Sequence, residues 1–227
     1  TTSETDGKIR VGLVAGDYQV LIVPPDDSGP AILDGTWEVS PDAGCCGKSF
    51  PLPSRSLVTA RVSTERDREV DATSIPVLAT PALPGTRTYL QDAFESLPLL
   101  PRQAAGATDA AGAFAIRVDA GLYDVTVRPA AATDFPWLVL PSIVIDDQPA
   151  STLEDVAIPN PALFVGVAAA QGIPATGATL RAYLPLAGSE TKDTSPVRVV
   201  QIGETIVGEG GRFVLPVPPR VARVVEG

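Results

Sequence analysis

The chain has 227 residues, 44% hydrophobic and 19% charged, and a formal net charge of −10. That is enough apolar material for one or two packed cores at the usual domain size of about 100 to 150 residues, which argues against a disordered chain. The acidic excess and the scattering of Arg and Lys argue against a nucleic-acid backbone as partner, which would need clustered cations. There is no His, so Ser-His-Asp, Cys-His and His-ligated zinc chemistry are excluded within this chain.

The first predicted elements lie in residues 7 to 25. Gly7, Ile9, Val11 and Leu13 mark one alternating strand, and AGDYQVLIVPP at residues 15 to 25 marks a second. The second phrase returns as AGLYDVTVRPA at residues 120 to 130, a constant offset of 105 from Tyr18 to Tyr123, with Gly112, Phe114, Ile116 and Val118 falling on the earlier four. Two strands and their turn recur, so the chain reads as a repeat of one β-sandwich module. Tyr18 and Tyr123 are each in phase with inward apolar residues, which predicts core packing rather than rings offered to sugars.

Asp26, Asp27 and Asp42 supply loop oxygens of the kind calcium takes, although no D-x-D-x-D-G spacing appears. Between Gly44 and Gly47, Cys45 and Cys46 leave three states open: a strained vicinal disulfide eased by the glycines, two free thiols, or bonds to another chain. A structural zinc site is a poor fit, since it takes four ligands and the chain has no further Cys. The setting PDAGCCGKS has the composition of a loop, without the helix N-terminus that a catalytic dithiol uses.

Pro51, Pro53 and Ser54 then introduce the strand LVTARV at residues 57 to 62. The one stretch with a helical pattern is around Leu90 to Leu97, where Leu90, Phe94 and Leu97 share a face, and it reads equally as loop. In TDAAGAF, Asp109 and Gly112 predict a tight turn, the Asp bonding the backbone and the Gly taking positive φ. Trp137 within FPWLVLP is expected to be buried; Trp37 is the better candidate for an exposed ring. The apolar run from Trp137 to Ile145 is broken by Pro141 and Ser142 and falls short of the roughly 20 residues of a membrane-spanning helix. Neighbouring carboxylates at Asp146 and Asp147, and at Glu154 and Asp155, would point to opposite faces of a strand and read as solvated charges.

Pro159, Asn160 and Pro161 form a second stiff junction, before LFVGVAAA at residues 163 to 170. Asn160 is the only Asn and precedes Pro161, so there is no glycosylation acceptor, and an amide crosslink from Lys8, Lys48 or Lys192 has a single possible partner. A third, weaker copy follows, GATLRAY at residues 177 to 183 matching ATSIPVL at 72 to 78 and GGRFVLPVPP at 210 to 219 matching AGAFAIRVDA at 111 to 120. The expected modules are residues 1 to 56, the C-terminal part of a sandwich; 57 to 160, a complete sandwich; and 161 to 227, a sandwich lacking its last strands. The chain thus reads as a segment of something longer, and without Met its first residue is not a start-codon product.

The string TDAAGAFAIRVDAGLYDVTVRPA at residues 108 to 130 resembles the carboxypeptidase regulatory-like module, a small transthyretin-like sandwich, through Thr108, Asp109, Gly112, Phe114, Gly121, Tyr123, Val125 and Val127. The first copy keeps Gly7, Gly16, Tyr18 and Val20 with Glu4 and Ile9 at the Asp and Phe places; the third keeps Gly211 and Phe213 and lacks the Tyr strand. The resemblance implies an all-β chain of tandem Ig-like or transthyretin-like sandwiches, without catalytic residues or cofactors. It further implies a structural spacer or assembly role in a secreted or surface-anchored bacterial protein, located extracellularly, at the outer membrane or in the periplasm. The partners would be other protein chains or domains of a surface assembly. The alternative is a carbohydrate- or ligand-binding module, which the aromatic content of 5% disfavours.

Overall fold

The structure is a computed structural model and describes residues 11–25, 31–40, 54–65, 74–82, 99–130, 133–186 and 198–219. The stretch at Leu90 to Leu97, the cysteines Cys45 and Cys46, the calcium candidates Asp26, Asp27 and Asp42, and Lys8, Lys48 and Lys192 lie outside the described residues.

The chain is all-β. In order its strands are β1 (Gly16–Ile22), β2 (Ala31–Val39), β3 (Ser56–Thr64), β4 (Pro76–Pro81), β5 (Leu99–Leu100), β6 (Ala104–Ala107), β7 (Ala113–Val118), β8 (Gly121–Val127), β9 (Leu138–Ile145), β10 (Ala150–Thr152) and β11 (Val156–Ile158). They continue as β12 (Ala162–Val167), β13 (Ala169–Ala170), β14 (Ile173–Pro174), β15 (Thr179–Leu186), β16 (Arg198–Ile206) and β17 (Arg212–Val217), with a 3-10 turn at Glu209–Gly211.

The central part is a sandwich. One sheet has β3 paired antiparallel with β7 on one edge and, on the other, parallel with β10 and β11; the facing sheet runs β6-β4-β8-β9. Period-2 alternation decides which side chains meet between them. Val58, Ala60 and Val62 of β3, Phe114, Ile116 and Val118 of β7 and Ile158 of β11 face Val77 and Ala79 of β4 and Tyr123, Val125 and Val127 of β8, all buried in one cluster. The outward members Ala115 and Arg117 stand in solvent. Asp109 forms the predicted turn: its Oδ1 accepts from the amides of Ala111 (2.8 Å) and Ala113 (2.9 Å), while Gly112 takes φ 77°.

Several backbone bonds of the C-terminal strands parallel those in the first half of this sandwich. The Gly112 carbonyl accepts from Val62 N–H, and the Gly211 carbonyl from Ala168 N–H, both at 2.8 Å. Asp109 N–H donates to Ala113 as Gly208 N–H does to Arg212, and Ser74 N–H to Thr108 as Gly177 N–H does to Val207. Gly211 has φ 79°, beside 77° at Gly112. β12 pairs β17 as β3 pairs β7, and β15 pairs β16 as β4 pairs β6. This alignment sets Gly177 on Ser74, whereas the sequence match set it on Ala72. A two-residue slip leaves the same side chains inward, so alternation cannot detect it.

The pairing of the N-terminal strands β1 and β2 is similar to that of β8 and β9. β1 and β8 each open on a glycine, Gly16 at φ 154° and Gly121 at φ 152°. Each pairs antiparallel with the next long strand, from Gly16↔Val39 to Ile22↔Ile32 and from Gly121↔Ile145 to Val127↔Leu138, with one register shift midway.

Two expected core rings, Tyr18 and Trp137, need correction, and Phe213 of the third copy is likewise less buried than Phe114, whose place it takes. Tyr123 and Phe114 are buried, but Tyr18 and Phe213 are only half-buried, and so is Trp137. Alternation fixes the face a ring points to, not whether a second sheet covers it. Tyr18 turns its hydroxyl back to the Val14 carbonyl (2.8 Å) and stays half-buried. Phe213 lies over Gly166, as its counterpart Phe114 lies opposite Ala60, but among the described residues no strand stands to it as β8, with Tyr123, stands to Phe114. Trp137 lies under Arg128, whose guanidinium is 4.6 Å from the ring centroid.

Candidate functional site at the junctions

The polar groups that the fold brings together lie where its parts meet. The ladder starting at Ser56↔Val118, extended by one residue, sets Arg55 beside Asp119. Arg55 Nε donates to Asp119 Oδ1 at 2.8 Å, and the backbone N–H of Arg102 donates to Asp119 Oδ2 at 2.7 Å. Asp119 is fully buried and Arg55 is 7% exposed, so this pair is held out of water, where hydrogen bonding must offset desolvation. The Arg102 carbonyl accepts from the Tyr123 hydroxyl at 3.2 Å. Burial, reinforced by the Asp119 carboxylate, holds that phenol far above its ordinary range, keeping it protonated as a donor.

From this anchor the Arg102 guanidinium reaches the N-terminal hairpin. Its terminal nitrogens donate to the Pro24 carbonyl at 2.7 Å and the Pro25 carbonyl at 3.2 Å, just beyond the end of β1. One arginine thus links the buried charge cluster of the sandwich to the chain leaving β1, whose prolines are fixed in φ.

β9 makes the second junction by dividing its faces. Leu138, Leu140 and Ile143 pack on the central core, while Val139 packs on the C-terminal cluster of Ile202, Leu215 and Val217. Arg128, beside Trp137, feels the Glu204 carboxylate of β16, although burial is the larger influence and lowers its proton affinity. Glu204 in turn accepts from Arg181 Nε at 2.7 Å, which holds its carboxyl below the usual carboxylate range.

Among the residues singled out in the sequence, Trp37 is half-buried in β2 opposite Tyr18, and Asp146, Asp147, Glu154 and Asp155 are exposed as expected. Among the described residues, no group of three or more His, Cys, Asp or Glu could hold a metal ion, and no helix is long and apolar enough to cross a membrane. The Arg55–Asp119–Arg102 cluster escaped sequence reading, because its charges are 64 residues apart at the bond that matters. The available signal was Asp119 between Val118 and Gly121, a charge placed where two core strands turn.

No protein-family model and no curated protein matches the sequence. Among solved structures the chain is similar to a streptococcal ancillary pilin at 14% identity, over 90% of this chain and 63% of that one, with a TM-score of 0.28. The chain therefore spans less than two thirds of the pilin's length, and the low score gives no common arrangement of strands.

Proposed function

We propose that this chain is a noncatalytic spacer and assembly segment of a secreted or cell-surface bacterial protein, built from tandem carboxypeptidase regulatory-like sandwich modules at residues 1 to 56, 57 to 160 and 161 to 227. The carrying observation is the Arg102 bridge: a guanidinium whose backbone is anchored on buried Asp119 clasps two proline carbonyls of the preceding hairpin. A bonded junction of this kind fixes the angle between neighbours, which a spacer requires and a flexible linker lacks. The recurring glycine turns support the tandem reading. Its partners would be protein chains or domains of a surface assembly, with no nucleic acid and no cofactor. Treating intact producing cells with a membrane-impermeant biotin reagent tests the reading. Labelling of the full-length product is expected, and labelling only after lysis would overturn it.

A further inference from the structure

The N-terminal hairpin receives a third strand from the segment that leads into the central sandwich. Among the described residues its sheet runs β1-β2-β5, and β5 lies just before β6 of the facing sheet. Leu99 pairs antiparallel with Ile32 and Leu100 with Ala31, at the start of β2. Pro101 follows directly. A residue before proline is driven to extended φ and ψ, and proline has no N–H to offer a ladder, so the Leu100-Pro101 step both favours this short strand and ends it.

Two residues past β5, the core holds Arg102 on both sides of its backbone. Its N–H donates to Asp119 Oδ2 at 2.7 Å, and its carbonyl accepts from the Tyr123 hydroxyl at 3.2 Å. Both of those side chains are fully buried. The Arg102 guanidinium runs the other way, to the Pro24 and Pro25 carbonyls. Ile22, the last residue of β1, pairs with Ile32, so the guanidinium and β5 grip the same end of the hairpin, where β1 leaves and β2 enters. Strand addition supplies main-chain bonds there, and the arginine supplies charge-assisted ones.

We propose that residues 99–102 are a clasp through which the buried Asp119 and Tyr123 of the central sandwich set the order of the N-terminal hairpin. Asp119 and Tyr123 are positioning residues: they hold the Arg102 backbone, while the Arg102 side chain and the Leu99–Leu100 strand hold the hairpin. Coupling between sites requires an element with two arrangements that both sites bias, and here that element is the clasp, engaged or released. Release opens the hairpin locally and leaves the sandwich folded. The inference rests on the Arg102 bridge that carries the assembly reading and adds what positions it; it is read on purified protein, so its failure is distinct from a failure of surface labelling on cells.

Hydrogen exchange of the full chain, followed by mass spectrometry of peptides from β1 and β2 and from β3 and β7, tests it. Tyr123→Phe is expected to speed exchange in β1 and β2 roughly fivefold, the scale of one lost hydrogen bond, with a smaller change in β3 and β7. The double variant Leu99→Pro, Leu100→Pro removes both amides of β5 and is expected to speed hairpin exchange by about tenfold without unfolding the sandwich. With Arg102→Ala added, the clasp is gone, and Tyr123→Phe should then have no further effect on the hairpin. Hairpin exchange unchanged by the proline pair, or already unprotected in the parent, would overturn the proposal. So would a Tyr123→Phe effect that is equal in hairpin and sandwich, or that persists undiminished without the clasp.

Discussion

Asp119 has no contact with solvent, and it receives at 2.8 Å the side chain of Arg55, which lies 64 residues earlier, just before β3. The same carboxylate holds the Arg102 amide, so one buried charge ties β3, β7 and the segment leading to β6. Replacing it by Ala leaves two arginines at a desolvated site without their counter-charge. Asp119→Ala is expected to destabilise the central sandwich by about 3 to 5 kcal/mol, read from chemical denaturation. A loss below about 1 kcal/mol would show that the cluster is not structurally coupled.

Tyr123 gives a pH-dependent signature. Its phenol is held well above the ordinary value near 10 in the folded state. Above that pH the unfolded chain binds fewer protons at this site than the folded one, so the stability this group contributes is fully present and independent of pH at neutral pH and falls as pH rises above about 10. Denaturation midpoints of the native protein should therefore drop between about pH 10 and 12, and Tyr123→Phe should flatten that drop. At pH 7 the same change removes the 3.2 Å bond to Arg102, at a loss of about 1 kcal/mol.

Gly211 takes positive φ, and a Cβ there would run into the Ala168 carbonyl and come within 3.3 Å of Pro174 and Val167 side-chain atoms. Gly211→Ala is expected to cost 2 kcal/mol or more, roughly, combining backbone strain with the clash. Thermal melting of the variant alongside Ala105→Gly as a surface control would check it, and equal melting temperatures would refute it.

Carbohydrate recognition is the alternative that exposed rings would serve, and Trp37 is half-buried within a strand pair. A glycan array is expected to show no saturable binding by the native chain. Saturable binding lost on Trp37→Ala would favour the alternative.

Much of the fold was legible because alternation is a local property. Phe114, Tyr123 and the valines between them are in phase, and the Asp109 to Gly112 turn follows from residue chemistry alone. Tyr18, Phe213 and Trp137 show the limit: their phase was right, but burial depends on a facing sheet that lies elsewhere in the chain. The Arg55–Asp119–Arg102 cluster was not legible, because an inward charge does not name a partner across 64 residues. The two-residue error in aligning the third copy has the same root, since slips of two leave the inward face unchanged.

The role proposed for Arg102 requires a junction held in one geometry by its bonds to the Pro24 and Pro25 carbonyls. Its most direct test is a distance distribution by double electron–electron resonance between spin labels at Asp17→Cys and Arg117→Cys, with Cys45 and Cys46 replaced by Ser. Both label sites are exposed, one on β1 and one on β7. A single narrow distribution is predicted, broadening when Arg102→Ala removes the bonds to the Pro24 and Pro25 carbonyls. A broad distribution in the parent protein, unchanged by Arg102→Ala, would contradict the account.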